Sequence, residues 1–228
     1  MNKQFLALLF AILAAVLYAI NIPISKILLK NIHPVLMASF LYLGAGAGMF
    51  GYSLLSRKEQ KSRLTKKELP FTIAMVVLDI IAPILLMIGL KTANSSNASL
   101  LNNFEIVATS IIALFVFKEY ISKIMWIAIL LVTISSTLLS FESLEALRFS
   151  WGSLFILAAC VTWGFENNCT KVLSSKSTNQ IVIIKGIFSG LGSLIIALIM
   201  GLKFPGLTLL LMTLLLGFIS YGLSIFLM

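Results

Sequence analysis

Four ionisable side chains stand where water should not reach them. Asp79, Glu105, Glu166 and Lys185 all fall inside long apolar stretches of a 228-residue chain. A charge at the centre of a membrane span costs about 2.5–3.5 kcal/mol on insertion scales, so each must line a wet cavity, meet a partner or be neutral. A carboxyl kept neutral by burial is a proton carrier. Asn102, Glu105 and Thr109 are spaced i, i+3, i+7 and share one helix face. Glu105 lies about 12 Å from the nearer end of its run by helical rise. Asp79 precedes Pro83 by four residues. Both carboxyls suit a solute cavity, and both also suit a hydrogen-bonded packing role. Glu166 and Lys185 lie at similar depth on runs joined by a short loop, so they are expected to form an ion pair, either structural or an inner gate.

A second polar set is aromatic. Tyr18, Asn21 and Ser25 again follow i, i+3, i+7, with Pro23 removing a backbone donor beside them. Trp163 and Glu166 repeat that spacing later in the chain. An aromatic ring next to a polar side chain suits stacking and hydrogen bonding to a small organic solute, and equally suits a helix-packing anchor. The candidate solute-binding residues are therefore Tyr18, Asn21, Asp79, Asn102, Glu105, Trp163 and Glu166.

The elements that carry them are eight apolar runs. They cover roughly Phe5–Leu29, Pro34–Leu55, Leu69–Leu90, Asn97–Phe117, Ile121–Phe141, Trp151–Leu173, Gln180–Met200 and Leu207–Met228. Each is about 20–25 residues long, which matches the hydrocarbon thickness of a bilayer at helical rise. None shows the broad polar stripe of a soluble core helix. The fold class is an all-α membrane protein, a polytopic helical bundle. Pro23 and Pro83 are expected to kink their helices and release carbonyls towards a cavity.

Composition narrows the function. With 60% hydrophobic and 11% charged residues, a soluble domain is excluded. The net charge of +9 is spread over short loops, which speaks for membrane topology and against nucleic acid. One His, two Cys buried in one run, and no HExxH, GxSxG or GxxxxGK[ST] leave no catalytic set, metal site, cofactor or ATP drive to expect. The partners expected are a small-molecule solute and the lipid bilayer. Gly44/Gly48 and Gly186/Gly190 are GxxxG pairs for close helix approach, within the bundle or in a homodimer.

Charge also orients the chain. Alternating eight spans from the basic loop at 57–67 puts eleven basic residues on one face, among them Lys3, Lys118, Lys123, Lys171 and Lys176. The opposite face receives five: Lys26, Lys30, Lys91, Arg148 and Lys203. The positive-inside rule then makes the N-terminus cytoplasmic, in the cell membrane.

The chain repeats itself as well. Tyr18-Ala19, then Lys26-Ile27-Leu28, aligns with Trp163-Gly164, then Lys171-Val172-Leu173, and Gly44-Ala45-Gly46 matches the pattern of Gly190-Leu191-Gly192. The period is five helices, an odd number, which inverts the second copy in the membrane. Inverted repeats mark secondary transporters, with a solute site near the midplane. Residues 1–145 form the first five-helix repeat, and 146–228 form an incomplete second repeat of three helices.

These residues resemble the drug/metabolite transporter superfamily, EamA-type, a ten-helix family. The likeness rests on the aromatic–small…Lys pattern of the first and sixth runs. It rests also on the small-residue segment from Asn94 to Asn103 that leads to Glu105, and on Phe117-Lys118-Glu119 with Ser122 and Trp126. Ile106 stands where the family often has Pro, and Lys118 where it usually has Gly. The resemblance implies a secondary transporter of a small organic metabolite, amino acid-like or related. It would work by alternating access through a central cavity, as a proton-coupled exporter. It implies too that two further helices and the second counterpart of Glu105 lie beyond Met228, so the chain is expected to be truncated after helix eight. A channel and a non-transporting accessory subunit are the alternative readings; neither filter loops nor rings of like charge appear for a channel.

Overall fold

In the computed structural model the described residues are 3–55, 62–93, 95–140 and 151–227. The basic residues from Arg57 to Lys61, Asn94, Phe141, Arg148 and Met228 lie outside them. Among the described residues the secondary structure is helical, with α1 (Lys3–Ala19), α2 (Asn21–Leu28), α3 (Pro34–Leu55), α4 (Leu69–Thr92), α5 (Ser95–Asn102), α6 (Phe104–Phe115) and α7 (Lys123–Ser140) in the first part of the chain. Next come α8 (Trp151–Val172), α9 (Thr178–Ile184), α10 (Gly190–Ile199), α11 (Leu207–Gly217) and α12 (Ser224–Leu227). Helix is what a lipid-embedded chain must form, because only intrasegment hydrogen bonds satisfy its backbone there.

Six stretches among the described residues are long and apolar enough to cross a bilayer: Phe5–Leu28, Pro34–Leu54, Lys66–Thr92, Ser95–Phe115, Thr178–Ile199 and Leu207–Leu227. The protein is an all-α membrane protein. Two further apolar runs are the helices α7 and α8, and α8 ends in the polar series Glu166-Asn167-Asn168-Cys169-Thr170-Lys171.

Several spans are interrupted. The first breaks at Ile20, between α1 and α2. Pro23 has no N–H to offer the Ala19 carbonyl, and its ring crowds that turn. Pro83 acts differently: α4 runs through it unbroken. The fourth span breaks at Asn103, where tight turns close Asn103 N–H onto the Leu100 carbonyl (3.1 Å) and Ile106 N–H onto Asn103 (3.1 Å). The last two spans each contain a π-helical stretch, Lys185–Ser189 and Phe218–Leu223. Such bulges are rare and often mark functional positions.

The chain packs as two compact units. The first comprises Met1–Pro70 with Leu173–Met228, the second Phe71–Val172. In the first, α3 is the hub, packing on α9, α10, α11 and both π stretches. Its Gly-Ala-Gly-Ala-Gly run from Gly44 to Gly48 makes this possible. A Cβ on Gly44 would sit 2.0 Å from the Leu214 carbonyl oxygen, and one on Gly186 2.3 Å from the Gly46 nitrogen. Both GxxxG pairs are thus used inside this unit. Near one end, Thr65 and Glu68 form a capping box, Glu68 pairs with Lys176 at 3.2 Å, and Leu64 N–H donates to Gln180 at 3.0 Å.

In the second unit α8 lies along α5 and α6. Here too glycines set the approach: a Cβ on Gly89 would fall 2.6 Å from the Gly152 carbonyl oxygen. Glu119, just past α6, pairs with Lys171 at the end of α8. The bridge is exposed and so contributes little to stability.

Candidate functional site

The first unit holds Tyr18, Asn21 and Lys185. Asn21 is buried on α2, where its side-chain amide donates to Ser220 Oγ at 3.1 Å and its Oδ1 accepts from Ser25 Oγ at 2.8 Å. The Ser220 hydroxyl in turn donates to the Leu216 carbonyl at 2.7 Å. The network is neutral and closed. Leaving its amide unbonded in this apolar setting would cost about 1–3 kcal/mol.

Beside it runs a row of three tyrosines. The Tyr18 ring meets Tyr221 edge-on at 5.9 Å, and Tyr221 lies 5.3 Å from Tyr42. Tyr42 and Tyr221 then line a cavity of about 20 Å³ with Ala45, Val182, Lys185, Gly186 and Ile225. That is room for about one water. Lys185 opens the first π stretch and Tyr221 sits within the second. Each such bulge adds a residue to its helix and rotates the turns beyond it by about 100°.

The second unit holds Asp79, Asn102, Glu105, Trp163 and Glu166. Asp79 is fully buried in α4, and Trp163 and Glu166 are almost as buried in α8. Pro83 comes one turn after Asp79, so it withholds the N–H that the Asp79 carbonyl would otherwise accept. Glu105 lies in the first turn of α6, where the helix dipole favours a carboxylate. Asn167 on α8 donates to Glu105 Oε1 at 2.8 Å and to Thr109 Oγ1 at 3.2 Å, so Glu105 and Thr109 do share a face. Asn168 braces the same contact through the carbonyls of Thr109 (3.0 Å) and Gly164 (2.8 Å). Asn102 closes α5 at the helix break, where the Cys160 thiol approaches the carbonyls of Leu101 and Asn102 at 3.5 and 3.8 Å.

One correspondence joins the two sets. Asn21 and Glu166 hold equivalent places in the sequence repeat, as do Ser25 and Thr170. Ser25 donates to Asn21, and Thr170 donates to Glu166 Oε1, each from four residues on. The same hydroxyl-to-acceptor bond occurs at both copies.

A larger cavity, about 290 Å³, lies in the second unit among Phe104, Val107, Ala108, Ile111, Leu157 and Cys160. Its wall is almost wholly carbon, so it offers nothing to recognise an ion. Among the described residues no three of His, Cys, Asp and Glu gather as metal ligands would.

Sequence reasoning did not single out Tyr42, Ser220, Tyr221 or Asn167. Tyr221-Gly222 carries the aromatic–small pair already noted at Tyr18-Ala19 and Trp163-Gly164, a signal that could have found it. Asn167 stood in the repeat motif without a role. Nothing local distinguishes Ser220, whose bond to Asn21 spans 199 positions.

Known proteins place the chain. A curated relative from Methanothermobacter thermautotrophicus, described as an uncharacterized transporter, is 26% identical over 205 residues. The match takes in 83% of this chain and 59% of the relative, so the chain spans about three-fifths of that protein's length. A solved crystal structure at 16% identity superposes with a TM-score of 0.73 over 97% of this chain and 77% of its own. At that identity the likeness concerns the fold. The profile of the EamA-like transporter family matches residues 5–141, more than half of the sequence, and the chain belongs to that family.

Proposed function

We propose that this chain carries out secondary transport of a small organic metabolite, amino acid-like or related, by alternating access. The observation that carries the reading is the pair of equivalent bonds, Ser25 to Asn21 and Thr170 to Glu166. Polar side chains that deep in a membrane protein are costly unless they serve a pathway. Their occurrence at one offset in two copies supports a five-helix repeat, with residues 1–145 as the first copy and 146–228 belonging to the second. An odd number of helices inverts the copies, and solute would then be exposed to each side in turn.

In this reading Tyr18, Asn21, Asp79, Asn102, Glu105, Trp163 and Glu166 serve the solute pathway, and Glu166 with Lys185 serves as a gate. The buried carboxyl of Asp79 and the half-buried carboxyl of Glu105 are the groups to carry a coupling proton, with export from a cytoplasmic N-terminal topology in the cell membrane. Glu105 is the stronger of the two, because the Asn167 amide on a neighbouring helix donates to its Oε1.

Reconstitution in proteoliposomes tests this. Counterflow of a panel of labelled amino acids and related metabolites should reveal one solute whose uptake saturates. Asp79→Asn and Glu105→Gln should lower that flux and flatten its response to a pH gradient. Flux that rises linearly without saturation would make the protein a channel. Silence across the panel, with stable capture of another membrane protein, would make it an accessory subunit.

A further inference from the structure

We propose that the break between α5 and α6 is a sodium-ion site, built from the Leu101 and Asn102 carbonyl oxygens, Asn102 Oδ1 and the Glu105 carboxylate. The first support is the backbone. The span stops being α-helical at Asn103, about 9 Å into the run by helical rise, with no Gly or Pro there to cause it. Interrupted membrane helices turn freed carbonyls and negative dipole ends towards cations.

The second support is independent. Asn102 is more than nine-tenths buried, and among the described residues its Oδ1 accepts no hydrogen bond. An acceptor in that position costs about 1–3 kcal/mol when nothing meets it. The Leu101 and Asn102 carbonyls are approached by the Cys160 thiol, at 3.5 and 3.8 Å, and a thiol is a weak donor. Asn167 is already committed to Glu105 and Thr109, where it aims the carboxylate.

What these groups share is oxygen, acceptor character and one negative charge. Oxygen ligands select hard cations over zinc or copper. A single carboxylate balances a monovalent ion and undercharges a site for calcium, which commonly takes several. The use of the ion to drive transport rests on the secondary transport proposed above; its binding does not.

The purified chain in detergent micelles or nanodiscs, melted without any solute, separates the two. From zero to 200 mM NaCl, with ionic strength held by choline chloride, the melting temperature should rise by about 3–5 °C, as expected when the ion stands near ten times its dissociation constant. KCl at equal strength should leave it unmoved. Asn102→Leu should abolish the rise, and Asn102→Asp, which keeps an oxygen in place, should retain it. Should Asn102→Leu fail to fold, loss of the rise in Glu105→Gln serves instead. Absence of a sodium effect, an equal effect of potassium, or a full rise in Asn102→Leu overturns the assignment, and none of these bears on whether a solute is carried.

Discussion

The two units bury polar side chains in opposite styles. In the first, Asn21, Ser25 and Ser220 satisfy one another, carry no charge and sit beside a cavity with room for about one water. In the second, Glu105 is a carboxylate at a helix break, steadied by Asn167, which donates to Thr109 as well, and only partly enclosed. The backbone shows the same division. The first unit packs on a seam of glycines along α3, whereas the second adds side-chain amides between α6 and α8 to its own glycine contact. A closed neutral network specifies packing. A carboxylate held by donors on a neighbouring helix is positioned, and positioning is what recognition requires.

The largest test of this contrast is steric. A Cβ on Gly217 would lie 1.9 Å from the Leu41 carbonyl oxygen, with backbone on both sides and nothing flexible to move. Gly217→Ala should therefore cost about 3 kcal/mol or more, at or beyond the usual range for overpacking. A Cβ on Gly164 would first meet Ile112 Cδ1 at 2.9 Å, the end of a flexible side chain, and then backbone atoms at 3.0 Å. Gly164→Ala should cost about 1 kcal/mol, towards the mild end of that range. Melting of both variants in detergent would show it, and equal losses would mean that the first unit is no tighter than the second.

Next in size is a crossed pair of substitutions. Asn21→Leu removes the partner of both Ser25 and Ser220, and should cost about 1–3 kcal/mol of stability. In the protein that still folds it should also raise the solute concentration needed for half-maximal flux, because Asn21 belongs to the proposed solute pathway. Glu105→Gln preserves shape and the acceptor oxygen facing Asn167, so its melting temperature should move by less than about 2 °C, while flux of the counterflow solute falls at least tenfold, about 1.4 kcal/mol. If Asn21→Leu lost stability but left the half-maximal concentration unchanged, the neutral network would serve packing alone and Asn21 would drop out of the pathway.

How far the sequence revealed this depends on the demands of lipid. The positions of the spans were readable because a bilayer imposes one length and one polarity on every crossing. The break at Ile20 was foreshadowed by Pro23, whose missing donor is visible in the residue type. Pro83 raised the same expectation of a kink, and α4 continues through it as one helix. The interruption at Asn103 carries a weaker signal, paired asparagines whose side chains compete with helical bonding. The π stretches carried none, since no residue type calls for them. Glu105 and Thr109 were placed on one face by spacing alone, but that Asn167 would bind both depends on how α8 packs against α6. Sequence periodicity describes one helix at a time and is silent on that.

The smallest test concerns how the two units end a helix. In the first, α10 closes on Gly201 with φ of +64°, while Leu202 N–H reaches the Ala197 carbonyl at 3.1 Å and Gly201 N–H the Leu198 carbonyl at 2.9 Å. That is the arrangement in which glycine satisfies orphan carbonyls without strain. In the second, the chain leaves α6 through Lys118 with φ of +56°, a conformation that favours glycine. A side chain in the left-handed region costs about 1–2 kcal/mol, part of which glycine returns through its freer unfolded state. Lys118→Gly should then gain about 0.5–1 kcal/mol, and Gly201→Ala should lose about 1 kcal/mol or slightly more. At about 2–4 °C per kcal/mol for a chain of this size, a fluorescence melt resolves both. A neutral or destabilising Lys118→Gly would mean that the lysine side chain, exposed though it is, holds the end of α6 by a contact stronger than the strain it bears.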